Sequence, residues 1–162
     1  GADEIDVVMN AGEMVEGEFD RLANDLELLC REAGQEVTFK VIIESGMLET
    51  PEDVYRASML AILSGADFVK TSTGKSAYGA TPKSAMVICN AIKDYYLQTG
   101  INVGIKLAGG IRTVDDAVLY YTIVENMLGR EWLTPSLFRF GASAPLANAL
   151  LSAVTGGTQS YF

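Results

Sequence analysis

Two lysines stand at the ends of short apolar runs, where a merely solvating charge is not expected. Lys70 closes Phe68-Val69-Lys70 and leads into Thr71-Ser72-Thr73-Gly74-Lys75. Lys106 lies in Val103-Gly104-Ile105-Lys106-Leu107 and leads into Ala108-Gly109-Gly110-Ile111-Arg112-Thr113. If both runs are strands whose lysines face an apolar interior, each lone ammonium is costly unless it is paired or neutral. Two ammoniums on neighbouring strands also repel, which depresses an amine's pKa. A free lysine has a pKa of about 10.4, so roughly one amine in 2,500 is unprotonated at neutral pH. Lowering that value by about three units raises the reactive fraction to near a third and costs the ammonium about 4 kcal/mol. A neutral lysine attacks a carbonyl, and the iminium that forms is an electron sink for breaking an adjacent carbon–carbon bond. Asp6, in Ile5-Asp6-Val7-Val8, has the chemistry to hold Lys106 and pass protons through water. The competing reading is a structural Asp6–Lys106 ion pair and a Lys70 that snorkels to the surface. Three such residues on the strands of one sheet favour the catalytic reading.

Three further segments, Thr73-Gly74-Lys75, Gly109-Gly110-Ile111-Arg112 and Gly141-Ala142-Ser143, follow apolar runs. Glycines there let backbone N–H groups approach a ligand, and helix N-termini attract phosphate. A lone Gly-Gly is weak, because turns use glycine for their own reasons; together with Lys75 and Arg112 the pattern points to an anion. The candidate phosphate set is Thr73, Lys75, Gly109, Gly110, Arg112, Gly141 and Ser143.

Composition narrows the partners. The chain of 162 residues has 12 Lys and Arg against 21 Asp and Glu, a formal net charge of −9, with its cations dispersed. A nucleic-acid partner needs clustered cations and is not expected. A charged residue interrupts every apolar run, so no membrane partner is expected either. The opening Gly-Ala-Asp shows no signal peptide, and the expected location is cytoplasmic. Histidine is absent, which leaves proton transfer to Lys, Asp, Glu, Tyr or water and removes the commonest metal ligand. Cys30 and Cys89 have no metal-ligand spacing and read as reduced, buried thiols. No metal site and no cofactor is expected.

The elements that must position these groups alternate. Strands are expected at Glu4–Met9, Thr38–Glu44, Phe68–Thr71, Val103–Leu107 and Leu137–Gly141. Helices are expected at Phe19–Ala33, Pro51–Ser64, Pro82–Leu97, Val114–Leu128 and Pro145–Val154. Thr50, Thr81 and Thr113 are capping hydroxyls, followed by proline or acidic residues in the first turn. The repeat of about 30 to 36 residues is that of a βα unit, and near-continuous apolar strands imply a parallel sheet covered by helices. No G-x-G-x-x-G follows the first strand, which weakens a dinucleotide reading. Polar groups at the C-terminal ends of successive strands are instead expected of an α/β (β/α)₈ TIM barrel. Gly1-Ala2-Asp3-Glu4-Ile5-Asp6 echoes Gly65-Ala66-Asp67-Phe68-Val69-Lys70, placing Asp6 and Lys70 on the same side of the sheet. Five units are visible where a barrel has eight. The expectation is that residues 1–154 are the C-terminal part of one barrel domain lacking its first three βα units, and 155–162 a flexible tail; a complete small open α/β domain is the alternative. Glu44 reads as a partner for Lys40 or for a backbone amide. Trp132 and the helical tyrosines Tyr55, Tyr95, Tyr96, Tyr120 and Tyr121 read as packing or oligomer contacts.

The segments Asp6-Val7-Val8, Lys40-Val41-Ile42-Ile43-Glu44-Ser45-Gly46, Lys70 to Lys75, Lys106 to Thr113 and Arg139 to Ser143 resemble the deoxyribose-phosphate aldolase family, in order along the whole chain. The Lys-Thr-Ser-Thr-Gly-Lys and Lys-x-x-Gly-Gly-Ile-Arg-Thr runs are its most specific marks. The resemblance implies a (β/α)₈ barrel that cleaves 2-deoxyribose 5-phosphate reversibly into glyceraldehyde 3-phosphate and acetaldehyde, without metal or organic cofactor. It implies that Lys70 is the Schiff-base lysine, Lys106 the second lysine and Asp6 the catalytic aspartate. Lys75, Gly109, Gly110, Arg112, Gly141 and Ser143 match positions around the phosphate. The implied partners are a small phosphorylated sugar or aldehyde and, as a further expectation, other copies of the chain. Ala144 stands where family members often have a second serine, and Tyr161 is followed by Phe162 where the family often ends in tyrosine. Two other readings accompany this one: a different class I barrel aldolase or transaldolase on a sugar phosphate, and an inactive fragment that serves only assembly.

Overall fold

Strand and helix alternate throughout the computed structural model, which describes residues 1–75 and 78–157. The strands are β1 (Glu4–Val8), β2 (Thr38–Ile42), β3 (Phe68–Lys70), β4 (Gly104–Ala108) and β5 (Phe138–Gly141). The helices are α1 (Ala11–Glu16), α2 (Phe19–Ala33), α3 (Pro51–Leu63), α4 (Pro82–Thr99), α5 (Val114–Leu128) and α6 (Ala144–Thr155). All the expected strands and the five expected helices are present, with ends moved by one or two residues. Helix α1 and a single 3₁₀ turn at Arg130–Trp132 were not anticipated. Six residues are too few for a 3.6-residue period to show; what starts α1 is local, with Asn10 Oδ1 accepting the amides of Gly12 and Glu13. Thr155, expected in the tail, is the last residue of α6, and Gly156 caps it in the left-handed region. The Tyr161-Phe162 terminus lies outside the described residues.

The threonine caps form as expected. Thr50 accepts the Asp53 amide, and Thr81 and Thr113 each close a reciprocal capping box, with Ser84 and Asp116. Such a cap stabilises a helix by about 1 kcal/mol. Helical crossovers between strands leave only parallel pairing open, and the sheet is wholly parallel in the order β1-β2-β3-β4-β5. The Gly-Ala-Asp echo has a structural meaning. The Asp3 carbonyl accepts the Thr38 amide at 3.0 Å, and the Asp67 carbonyl accepts the Gly104 amide at 2.7 Å, so each copy begins a ladder to the next strand.

Alternation along the strands divides the sheet in two. Val41, Val69, Ile105 and Leu107 face the helices and are fully buried with Ala57, Ala61, Ala85, Ile88, Ile92 and Val124. The other face carries Glu4, Asp6, Lys40, Lys70, Lys106 and Arg139. That face is strongly concave. In a flat sheet β1 and β5 would lie four strand spacings apart, about 19 Å, yet Arg139 Nη2 of β5 is 2.9 Å from Glu4 Oε1 of β1. Five parallel staves curled until the outer two touch across the inside are an arc of a (β/α) barrel wall.

The helical tyrosines pack as expected. The Tyr55 hydroxyl donates to Asp94 at 2.9 Å, joining α3 to α4, and Tyr120 donates to the Ala80 carbonyl at 2.7 Å. Trp132 is buried, donates to the Val103 carbonyl at 2.9 Å and meets Tyr96 edge-on. Both cysteines are free. Burial pushes the Cys89 thiol up to about 12, whereas Cys30, expected to be buried, is only half-buried against the Gly65 carbonyl. Among the described residues no helix is long and apolar enough to cross a membrane.

Candidate active site

Strand register decides which groups meet. Lys70 at the end of β3 is the direct partner of Lys106 on β4, and both side chains project into the concavity toward β1. There the two Nζ atoms converge on a single oxygen, Asp6 Oδ2, each at 2.6 Å. The side chains of Lys70 and Lys106 are 11% and 20% exposed, so water competes weakly for these contacts. Burial by itself pushes the Asp6 carboxyl up, but hydrogen bonds from Lys106 and Lys70, reinforced by their charges, prevail and hold it well below the usual carboxylate range. Asp6 therefore stays ionised at any pH near neutrality, and one oxygen serves two ammoniums.

Three residues not singled out in the sequence extend this set: Lys40 touches Asp6, Glu4 touches Lys40, and Arg139 touches Glu4. Lys40, 2% exposed, lies 3.3 Å from Asp6 Oδ1 and 2.7 Å from Glu4 Oε2. Arg139 holds the other side of Glu4. Lys40 and Arg139 both lie over the Phe68 ring, 5.9 and 5.7 Å from its centroid. Lys40 carries the same signal as Lys106, a lysine flanked by apolar residues within a strand. Its partner is not Glu44. That carboxylate accepts the Thr73 amide and ties the end of β2 to the segment after β3, from a left-handed backbone (φ 46°) unusual for a non-glycine residue.

At the strand ends Lys70, Thr73, Lys106, Gly109, Gly110, Arg112, Gly141 and Ser143 line one cleft of about 340 Å³. Asp6 lies beneath it, reached through the two lysines. Lys75 is exposed and does not line the cleft; its amide donates to Thr73 Oγ1 at 3.3 Å. Ser143 precedes α6 without turning its hydroxyl back to cap the helix, leaving that hydroxyl to the cleft. The floor is fixed by Thr71 and Ser72, whose hydroxyls donate to the Ala108 carbonyl at 3.0 and 2.6 Å.

Gly109 and Gly110 both have positive φ, 88° and 84°, and Gly109 is crowded by the chain at Gly79. A Cβ on Gly79 would lie 2.3 Å from the Gly109 carbonyl oxygen, whereas one on Gly110 would meet nothing within 4 Å. Gly79→Ala is therefore expected to lower unfolding stability by about 2 kcal/mol or more through a backbone clash. Gly110→Ala should cost only the strain of a positive φ, about 1 kcal/mol. Denaturant midpoints compare the two, and equal shifts would show that the close approach does not constrain the loop.

A parallel β/α barrel wall with its polar groups gathered at the C-terminal strand ends defines a class of barrel enzymes whose loops build the site. The family profile for DeoC/LacD family aldolases matches residues 1–133, and the chain belongs to that family. It is 42% identical over 164 residues to the deoxyribose-phosphate aldolase of Homo sapiens and 41% identical over 164 residues to that of Bos taurus, in each case over 99% of this chain and 51% of the relative. The chain thus spans about half the length of the curated relatives it matches. A ligand-free Toxoplasma gondii protein assigned as a deoxyribose-phosphate aldolase superposes with a TM-score of 0.85 at 26% identity, over 96% of this chain and 61% of that one. A tetrameric deoxyribose phosphate aldolase from Aeropyrum pernix shares the fold, with a TM-score of 0.70 at 23% identity over 96% of this chain and 56% of that one.

Proposed function

We propose that residues 1–154 are the C-terminal part of one barrel domain, and that they carry the reactive centre of an aldolase. The reaction is the reversible cleavage of 2-deoxy-D-ribose 5-phosphate into glyceraldehyde 3-phosphate and acetaldehyde. The observation that carries this reading is the convergence of Lys70 and Lys106 on one Asp6 oxygen beneath a glycine-lined, basic cleft.

The chemistry follows from that convergence. Two ammoniums on one carboxylate oxygen leave a positive surplus, which falls when Lys70 gives up a proton or when an anion enters. Neutral Lys70 adds to the C1 aldehyde of the open-chain sugar, and loss of water gives the iminium. Removal of the C3 hydroxyl proton then breaks the C2–C3 bond. Glyceraldehyde 3-phosphate leaves, and the bonding pair passes into the C1–C2 enamine conjugated to nitrogen. Asp6 and Lys106, linked at 2.6 Å, are the groups placed to move protons here, through water where they do not reach. Protonation at C2 and hydrolysis release acetaldehyde and regenerate Lys70. Arg112, Thr73, Ser143 and the glycines Gly109, Gly110 and Gly141 supply donors and space for the phosphate, while Lys75 attracts it from outside the cleft.

Incubating the protein with deoxyribose 5-phosphate and borohydride, followed by peptide mapping, tests the assignment. A reduced adduct confined to the Lys70 peptide is expected. An adduct on another lysine, or none in full-length protein, would overturn it.

A further inference from the structure

We infer that Glu4 is a positioning residue for the reactive lysines, setting how readily Lys70 and Lys106 give up their protons through Lys40, Asp6 and Arg139 without touching substrate. The inference rests on the reading of Lys70 and Lys106 as the reactive pair.

Glu4 and Asp6 are two residues apart on β1 and share Lys40, at 2.7 and 3.3 Å. Glu4 also holds Arg139 at 2.9 Å, and Asp6 holds Lys70 and Lys106. Four cations and two carboxylates are thus joined in one chain of contacts from the lower inner face to the cleft. Other charges border it. Glu44 holds the Thr73 amide at the end of β2, Arg112 lines the cleft above, and Asp67 is bonded to the Phe39 amide below. Lys40 is 2% exposed, so it cannot exchange a lost partner for water. Glu4 does not line the cleft. Hydrogen bonds from Lys40 and Arg139 hold its carboxyl below the ordinary range, so it remains an anion at neutral pH.

Two opposite consequences follow. If Glu4 loses its charge, Asp6 is the one ion-pair partner left to Lys40 among the described residues, which draws Asp6 away from the reactive pair while the positive surplus rises. Both effects favour neutral amines at Lys70 and Lys106. If Arg139 loses its charge, Glu4 serves Lys40 alone and Asp6 is released to the pair, which favours the ammonium. A residue that merely held the strands together would loosen the site in the same direction whichever partner was removed.

Trace acetylation with acetic anhydride at neutral pH, read by peptide mass mapping in the full-length protein, separates these cases, because only unprotonated amines react. Labelling of Lys70 and Lys106, relative to the exposed Lys83, should rise at least about threefold in Glu4→Gln and fall by a similar factor in Arg139→Gln. Glu4→Asp, which keeps the charge, should return toward the wild-type ratio. If Glu4→Gln does not fold, the sign in Arg139→Gln alone decides. Ratios that stay put, or that rise in both variants together with labelling of Lys40, would overturn the inference. Borohydride trapping of the wild type is run in parallel. Its failure would remove the aldolase reading and leave the acetylation result to judge the charge coupling by itself.

Discussion

Lys70→Met is expected to abolish the borohydride-dependent adduct and to lower kcat/KM for deoxyribose 5-phosphate cleavage by at least about 10⁴-fold. The side chain is nearly isosteric and removes one of two ammoniums that compete for a single Asp6 oxygen. Stability should therefore change by less than about 1 kcal/mol, since Lys106 and Lys40 still occupy that carboxylate. Lys106→Met should behave differently. It leaves Lys70 in place, so an adduct still forms, but it hands the whole of Asp6 Oδ2 to Lys70 and favours its ammonium, slowing the reaction by about 10²- to 10³-fold. Intact-mass trapping and steady-state kinetics on the two variants test the assignment of roles. Adduct loss in Lys106→Met with retention in Lys70→Met would exchange them.

Why the core of this arrangement was legible in sequence, and its surroundings were not, has a physical reason. Lys70 and Lys106 betray themselves because a charge at the end of an apolar strand is costly and calls for a partner. The helix caps were equally plain, since a threonine before proline or acidic residues has one usual role. Lys40 is less conspicuous because no glycine-rich, cation-bearing segment follows its strand, and Glu4 because it opens its strand and reads as solvated. Their pairing depends on how tightly five strands curl, which period-2 alternation cannot report: alternation assigns a face, and curvature decides what that face meets. The same limit bears on Lys75. It follows Thr73-Gly74 in sequence, where a cation suggests a phosphate ligand, but the chain carries it out into solvent while Thr73 remains over the cleft. Helix α1 was hidden for another reason, since its six residues are started and stopped by Asn10 and Gly17 and carry no period of their own.

Asp6→Asn should have the largest effect on stability of any single change in the site. The carboxylate receives Lys40, Lys70 and Lys106; the amide that replaces it leaves Lys40 with Glu4, and Lys70 and Lys106 with no other ion-pair partner among the described residues. Removing one partner of a buried pair costs about 3–5 kcal/mol. Partial access of water to Asp6 and Lys106, whose side chains are 24% and 20% exposed, brings the expectation to about 2–4 kcal/mol at pH 7. The pH dependence distinguishes this cause from a packing defect. The folded-state pKa of Asp6 is lowered, so its contribution is complete above the unfolded value of about 3.9 and is lost as pH falls through the folded value. The difference between wild type and Asp6→Asn is therefore largest near neutrality and shrinks as the wild type is acidified below about pH 4. Urea unfolding of the full-length protein at pH 7 and near pH 3 measures both points. A gap of the same size at both would mean that Asp6 stabilises the barrel by its shape. A gap that is smaller at pH 3 than at pH 7 would mean that its charge holds the three lysines on the inner face, and that the ions required for the chemistry are also those that brace the wall.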